Sequence, residues 1–123
     1  MRKKKILLVD DEKDLVETMT FRLDSLGYEV IPAYDGQEAF NKARKEKPDL
    51  IILDLMLPKM DGYQVCGLLK KDTRYRKIPI IIFTARAQQD DIKLGQEMGA
   101  DAYITKPFEP QLLLDKIKEL LNK

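Results

Sequence analysis

Charged and hydroxylated side chains stand at the ends of four short apolar segments, and their chemistry suits phosphoryl transfer. Asp10 and Asp11 follow the first segment, Asp54 follows the second, Thr84 the third and Lys106 the fourth. Carboxylates bind hard cations such as Mg²⁺, whereas a hydroxyl and an ammonium bind phosphate oxygens. If the segments are parallel strands, their carboxyl ends share one sheet edge, where open α/β sheets bind ligands. The sequence therefore predicts a phosphoryl-transfer site at that edge.

Each of these signals also has a structural explanation when it is taken alone. The pair Asp10 and Asp11 could favour a helix N-terminus, as acidic residues generally do. Asp54 could be a buried acid that only pairs with Lys106, and threonine is common in strands. The joint pattern favours the functional explanation, because a carboxylate that ends an all-apolar strand loses solvation and needs a charged partner.

Composition excludes several classes of protein. The 123 residues, 44% of them hydrophobic, suffice for one domain with a core. Lys plus Arg number 22 and Asp plus Glu 21, so the net charge of +1 gives no overall field for nucleic acid. Cys66 is the only cysteine, which excludes an intrachain disulfide. The absence of histidine excludes His-based triads, His-ligated zinc and a phosphohistidine on this chain.

The N-terminus does not resemble a membrane or secretion signal. No apolar run reaches the ~18 to 20 residues that span a bilayer. The basic start MRKKK is followed by an apolar stretch that stops at Asp10, whereas a secretory signal needs a longer apolar region and a cleavage site. We therefore expect a cytoplasmic protein without membrane contact.

Short apolar runs alternate with longer amphipathic stretches along the whole chain, which predicts a (βα)₅ arrangement. Near-continuous apolar strands indicate burial on both faces, and right-handed crossovers give a doubly wound parallel α/β sheet. The predicted strands are 5–9, 28–33, 50–54, 80–84 and 102–105. The predicted helices are 12–26, 36–45, a third that follows a loop at 57–62 and reaches about residue 70, 90–98 and a fifth from residue 110. The predicted inward positions include Val16, Met19, Leu23 and Leu26 in the first helix and Val65, Leu68 and Leu69 in the third.

Four motifs in the same order and spacing resemble the receiver domains of two-component response regulators. They are ILLVDD at 6–11, LDLMLPKMDG at 53–62, FTA at 83–85 and ITKPF at 104–108. The resemblance covers essentially all of residues 1–123 and implies one receiver domain. It also implies a flavodoxin-like fold with strand order 2-1-3-4-5.

The resemblance implies a role for each residue of the predicted site. Asp54 would accept a phosphoryl group from a histidine kinase or a histidine phosphotransfer protein. Asp11, Asp54 and the backbone carbonyl of Met56 would ligate Mg²⁺ or Mn²⁺, and Asp10 would act through a metal-bound water. The protein would be a signalling module that catalyses only its own phosphorylation and dephosphorylation.

The same resemblance implies a switch. Lys106 would pair with Asp54 at rest and with the phosphoryl group after transfer. Thr84 would move to hydrogen-bond that group while Tyr103 rotates inward. The surface of the fourth helix, fifth strand and fifth helix would then change for a partner or output domain. The Lys106–Pro107 peptide bond is a candidate cis bond.

Two neighbours of the site could set the lifetime of the phosphoryl group. Met56 and Arg86 lie two residues beyond Asp54 and Thr84, near the path of an attacking water. We hypothesise that their bulk slows hydrolysis, although Arg86 could equally be an exposed loop cation.

Other functional classes compete with signalling. A haloacid-dehalogenase-type phosphatase would place a second acid two residues after the nucleophile, where this chain has Met56. A flavodoxin-type FMN carrier would need a Ser/Thr/Gly-rich phosphate loop after the first strand, where residues 10–14 read DDEKD. Phosphoester turnover would favour the phosphatase, and a colourless protein would exclude the flavin carrier.

Two organisations fit the signalling hypothesis. Met1 and the tail Leu121-Asn122-Lys123 suit a stand-alone receiver acting through protein contacts, but a fragment of a longer regulator with an output domain would have the same sequence here. Neither organisation requires this domain itself to bind DNA.

Overall fold

One parallel sheet forms the centre of the molecule in this computed structural model, which describes residues 2–122; Met1 and Lys123 lie outside the described residues. Over the described range, the strands follow the order 2-1-3-4-5, and the predicted doubly wound, flavodoxin-like fold is confirmed. The strands are β1 Lys5–Val9, β2 Glu29–Ala33, β3 Leu50–Leu53, β4 Ile80–Thr84 and β5 Ala102–Thr105.

A helix follows each strand, within one or two residues of the predicted bounds. The helices are α1 Lys13–Ser25, α2 Gly36–Glu46, α3 Gly62–Lys71, α4 Gln89–Glu97 and α5 Pro110–Leu121. Asp35 caps α2 by accepting a hydrogen bond from the Glu38 amide, and Asp61 and Gln64 form a capping box at α3. Among residues 2–122, no helix combines the length and apolar character needed to cross a membrane.

Two hydrophobic clusters cover the two faces of the sheet. Alternate strand positions such as Ile6, Leu8 and Ile52 pack against α1 and α5. The intervening positions, among them Leu7 and Ile51, pack against α2 and α3 on the other face. Burial on both faces explains why β3 is apolar throughout and why β1 and β4 are apolar except at one end, and it leaves the carboxyl ends of the strands as the place for polar side chains.

The prediction that Leu26 and Leu68 face inward is wrong. Leu26 is 51% exposed because it is the C-cap residue of α1 and follows the last helical turn. Leu68 is 44% exposed because Val65, Cys66 and Leu69 form the buried face of α3, and Leu68 points about 110° away from the centre of that face.

Candidate functional site

The ends of β1 and β3 place two carboxylates side by side. Val9 is the register partner of Leu53, so Asp10 and Asp54 follow neighbouring strands at the same level. The Asp54 amide donates a hydrogen bond to the Val9 carbonyl at 3.1 Å, which extends the ladder to the nucleophile candidate. Both aspartates are buried although both are ionisable, and such groups require charged or hydrogen-bonding partners.

Lys106 supplies the positive charge from the end of β5. Its Nζ atom lies 2.7 Å from Asp10 Oδ2 and 3.2 Å from Asp54 Oδ2. Glu12 is the N-cap residue of α1, and its Oε1 atom lies 3.8 Å from the same Nζ atom. The ammonium therefore serves a group of acids, with Asp10 as its nearest partner.

Asp10, Asp11 and Asp54 form an acidic cluster that suits a divalent cation. One ligand oxygen from each residue lies within 4.8 Å of the others; Asp10 and Asp54 are buried and Asp11 is exposed. These three carboxylates outnumber the single Lys106 ammonium by two charges, which one divalent cation would balance. Oxygen donors of this kind suit Mg²⁺ or Mn²⁺.

Burial and charge shift the titration of this group. Burial raises the pKa of Asp10, although the hydrogen bond from Lys106 and the backbone hydrogen bond from Glu12 act against that rise. Burial alone would lower the pKa of Lys106, but the hydrogen bond to Asp10 and the charges of Asp54 and Asp10 outweigh it, so that pKa is raised. Lys106 therefore remains charged at neutral pH.

An aromatic contact that the sequence analysis missed also touches the ammonium. Lys106 Nζ lies 4.6 Å from the centre of the Phe83 ring, which is a cation–π distance. Phe83 in turn meets Phe108 edge to face, with ring centres 5.0 Å apart. The only sequence signal was the position of Phe83 directly before Thr84 and of Phe108 two residues after Lys106.

Thr84 is the last residue of β4 and is fully buried beside β5, the strand that Lys106 follows. Its backbone carbonyl accepts a hydrogen bond from the Lys106 amide at 2.8 Å. Its hydroxyl oxygen accepts a longer one from the Arg86 amide at 3.4 Å. The Lys106–Pro107 peptide bond is cis, the isomer that the resemblance implies. The hydroxyl and the ammonium thus come from the ends of adjacent strands.

Met56 lies in the loop that follows Asp54. Its backbone amide donates a hydrogen bond to Asp54 Oδ1 at 3.2 Å. Its side chain is 58% exposed, so the thioether is free of the hydrophobic clusters. The loop is compact, because the Gly62 amide donates back to the Leu55 carbonyl at 3.1 Å.

Arg86 and Tyr103 belong to a second group of contacts, around α4. Arg86 Nε lies 3.4 Å from Asp91 Oδ1. The Tyr103 hydroxyl donates to the Arg86 carbonyl at 2.9 Å, and Tyr63 donates to the Asp91 carbonyl at 3.0 Å. Burial, with nearby Tyr63 and Asp91, raises the pKa of Tyr103. The guanidinium is thus tied to α4 in this state.

Comparison of the sequence with known proteins gives one consistent result. A family model for the response regulator receiver domain matches residues 6–118. The chain is 48% identical over 122 residues to the alkaline phosphatase synthesis transcriptional regulatory protein PhoP of Bacillus subtilis, covering 98% of this chain and 49% of that protein. The chain therefore spans about half the length of the curated relatives it matches.

Solved structures of similar shape carry the same family name. A response regulator receiver domain protein from Methanospirillum hungatei aligns with a TM-score of 0.92 and 34% identity, covering 98% of this chain and 95% of that one. The BeF₃-activated N-terminal receiver domain of RstA from Klebsiella pneumoniae aligns with a TM-score of 0.90 and 31% identity, covering 98% and 100%.

Proposed function

Because this chain belongs to the response regulator receiver family, we propose that residues 1–123 form one receiver domain phosphorylated on Asp54. The observation that carries the proposal is the position of Asp54 at the buried end of β3, 3.2 Å from the Lys106 ammonium and within the acidic cluster. The donor proposed from the family resemblance is a phosphohistidine on a histidine kinase or a histidine phosphotransfer protein. It must lie on another protein, because this chain has no histidine.

In the transfer step, a carboxylate oxygen of Asp54 attacks phosphorus. A P–O bond forms, the P–N bond to the donor imidazole breaks, and the imidazole takes up a proton from solvent. Lys106 stabilises the negative charge on the transferred group, and the Thr84 hydroxyl donates a hydrogen bond to one of its oxygens. Positioning and charge stabilisation supply the catalysis, as is general for phosphoryl transfer.

The acidic cluster and the neighbouring loop hold Mg²⁺ or Mn²⁺ in this proposal. Asp11, Asp54 and the Met56 backbone carbonyl are direct ligands, and Asp10 acts through a water. When bound, the cation screens the anionic carboxylate from the anionic phosphoryl donor. The excess of negative charge at the cluster and the oxygen-only donor set support this assignment.

Phosphorylation then changes the surface of α4, β5 and α5. Thr84 moves toward the phosphoryl group and Tyr103 turns inward. The hydrogen bond from Tyr103 to the Arg86 carbonyl supports this coupling, since Arg86 lies two residues after Thr84, in the loop that follows β4. Met56 and Arg86 limit access of water and so lengthen the life of the phosphoryl state.

The changed surface acts on a downstream protein or on an output domain. The relative PhoP is a transcriptional regulatory protein of about twice this length, which supports control of an output domain. Direct nucleic acid binding by this domain is not part of the proposal, because the net charge of +1 provides no attractive field.

Intact mass after incubation with acetyl phosphate tests the proposal. We expect one phosphoryl group to be gained with Mg²⁺, none in EDTA, and none in Asp54→Ala. Asp115→Ala is the matched control, because Asp115 is exposed on the surface of α5, where it accepts a hydrogen bond from Gln111. No gain under any condition would contradict phosphoacceptor function. Steady release of phosphate from small phosphoesters would instead favour a phosphatase.

A further inference from the structure

The first residue of α2 lies directly against the loop between β3 and α3. The Gly36 amide donates a hydrogen bond to the Pro58 carbonyl at 3.2 Å. A Cβ atom added to Gly36 would overlap the backbone carbonyl oxygen of Met60 and lie 2.8 Å from the Met60 Cβ. The contact is backbone against backbone, so a side chain cannot relieve it by rotating.

The same loop contains a residue of unusual backbone conformation, Lys59, whose side chain forms an ion pair with the N-cap of α2. Lys59 has a φ angle of +69°, in the left-handed region. Its Nζ atom lies 3.5 Å from Asp35, the residue that also caps α2. The Met60 amide closes the turn by donating to the Pro58 carbonyl at 2.8 Å.

The loop is tied to α3 at its other end. The Gly62 amide bonds to the Leu55 carbonyl, and a Cβ at Gly62 would lie 2.8 Å from the Leu55 Cα. Between these two attachments, the Met56 amide donates to Asp54 Oδ1. Residues 54–61 are thus fixed between two helix N-termini, and the loop has little freedom to move independently of α2.

We propose that Gly36 is a positioning residue for the cation site. Its lack of a side chain lets α2 approach the loop, and this approach sets the placement of the Met56 backbone relative to Asp54. The inference rests on the proposed function in one respect, since the Met56 carbonyl is a metal ligand only under that proposal. Ligand groups lose much of their effect when displaced by about 0.5 to 1 Å.

Gly36→Ala tests this inference, with Gly67→Ala in α3 as the matched control. Both variants add one methyl group to a buried helical glycine. The new Cβ at Gly67 meets only the flexible Met98 sulfur at 3.2 Å, whereas the one at Gly36 meets backbone. We expect Gly36→Ala to shift the backbone amide resonances of residues 54–61 in the cation-free protein. Calorimetric titration with MgCl₂ should show about tenfold weaker binding, and Gly67→Ala should match the wild type in both measurements.

A second pair of variants avoids any failure of Gly36→Ala to fold. Lys59→Asn and Lys59→Val both remove the exposed ammonium. Asparagine tolerates the left-handed conformation and β-branched valine does not. We expect the valine variant to weaken Mg²⁺ binding more than the asparagine variant. Equal Mg²⁺ affinities within this pair would overturn the inference.

The outcomes separate this inference from the proposed function. Wild-type protein that gains a phosphoryl group, together with unchanged loop resonances and Mg²⁺ affinity in Gly36→Ala, would overturn the role of Gly36 alone. Wild-type protein that neither binds Mg²⁺ nor gains a phosphoryl group would overturn both. Weaker Mg²⁺ binding in Gly36→Ala, at a melting temperature equal to that of Gly67→Ala, would support positioning over a general effect on stability.

Discussion

Lys106 is closer to Asp10 than to Asp54, with Nζ–Oδ2 distances of 2.7 Å and 3.2 Å. The family resemblance implies pairing of Lys106 with Asp54, and the structure adds the fully buried Asp10 as the nearer partner. Two buried carboxylates therefore share one ammonium as their countercharge in the cation-free protein. Its loss would leave both without a countercharge.

We expect Lys106→Met to destabilise the cation-free protein by about 3 kcal/mol at pH 7, the usual cost of removing one partner of a buried pair. Because burial raises the pKa of Asp10, the folded state binds a proton more readily than the unfolded state, so the penalty should shrink as pH falls toward 5. Urea unfolding in EDTA at pH 7 and at pH 5 measures this loss of stability. Lys116→Met, which removes a surface pair with Glu119, should cost no more than about 0.5 kcal/mol.

Asp11→Asn should separate cation binding from folding. Asp11 is exposed, so we expect the cation-free variant to unfold at the wild-type temperature or slightly above, because one repulsive charge is removed. Mg²⁺ should stabilise the wild type by about 2.7 kcal/mol at one hundred times its Kd, and the variant much less. Thermal unfolding with and without MgCl₂ measures the difference. Asp14→Asn, an exposed acid in the first turn of α1, should keep the full Mg²⁺ effect.

Met56→Ala should shorten the lifetime of the phosphoryl state. The exposed side chain contributes little to folding, so we expect unchanged stability and several-fold faster loss of the phosphoryl group. Intact mass against time, after removal of acetyl phosphate, gives the rate. Leu68→Ala removes a similarly exposed apolar side chain from α3 and should leave the rate unaltered. Equal rates in Met56→Ala and the wild type would contradict a shielding role.

Arg86→Ala should also accelerate the decay, because it removes bulk beside Thr84. The guanidinium is held by Asp91 in this structure, so Asp91→Asn should have the opposite effect if a freed arginine covers the phosphoryl group more fully. The same time course of intact mass compares the two variants. An unchanged decay rate in Arg86→Ala would show that the arginine does not shield the phosphoryl group, and Met56 would then be the remaining shielding residue of the proposal.

Cys66 should titrate far from neutrality. Burial raises the pKa of its thiol to about 11, from an ordinary value of 9.0. Between these values the folded state holds a proton that the unfolded state has lost, so stability should fall as pH rises, by about 1.4 kcal/mol per pH unit. The unfolding free energy of the wild type, less that of Cys66→Ala, should be measured from pH 8.5 to 10.5. The change of this difference with pH isolates the contribution of the thiol. Alkylation at pH 8 should be slow until urea is added.

The residue types at the strand ends were determined by the sequence, because the pattern that reveals them is local. The apolar run before Asp54 identifies a buried strand with a polar end wherever that strand lies in the sheet, and Lys106 follows the partly buried β5 in the same way. The predicted burial of Leu26 and Leu68 is wrong, because the residue at which a helix ends and the face by which it docks depend on the rest of the fold.

The partners of those residues were decided only by the tertiary structure. The order of strands brings Lys106 from β5 across to Asp10 on β1, ninety-six residues earlier, and places its ammonium over Phe83. The contact of Gly36 with Met60 likewise depends on how α2 docks beside the loop after β3. Local sequence supplies the chemical groups, but distances between groups far apart in the chain follow from packing on both faces of the sheet.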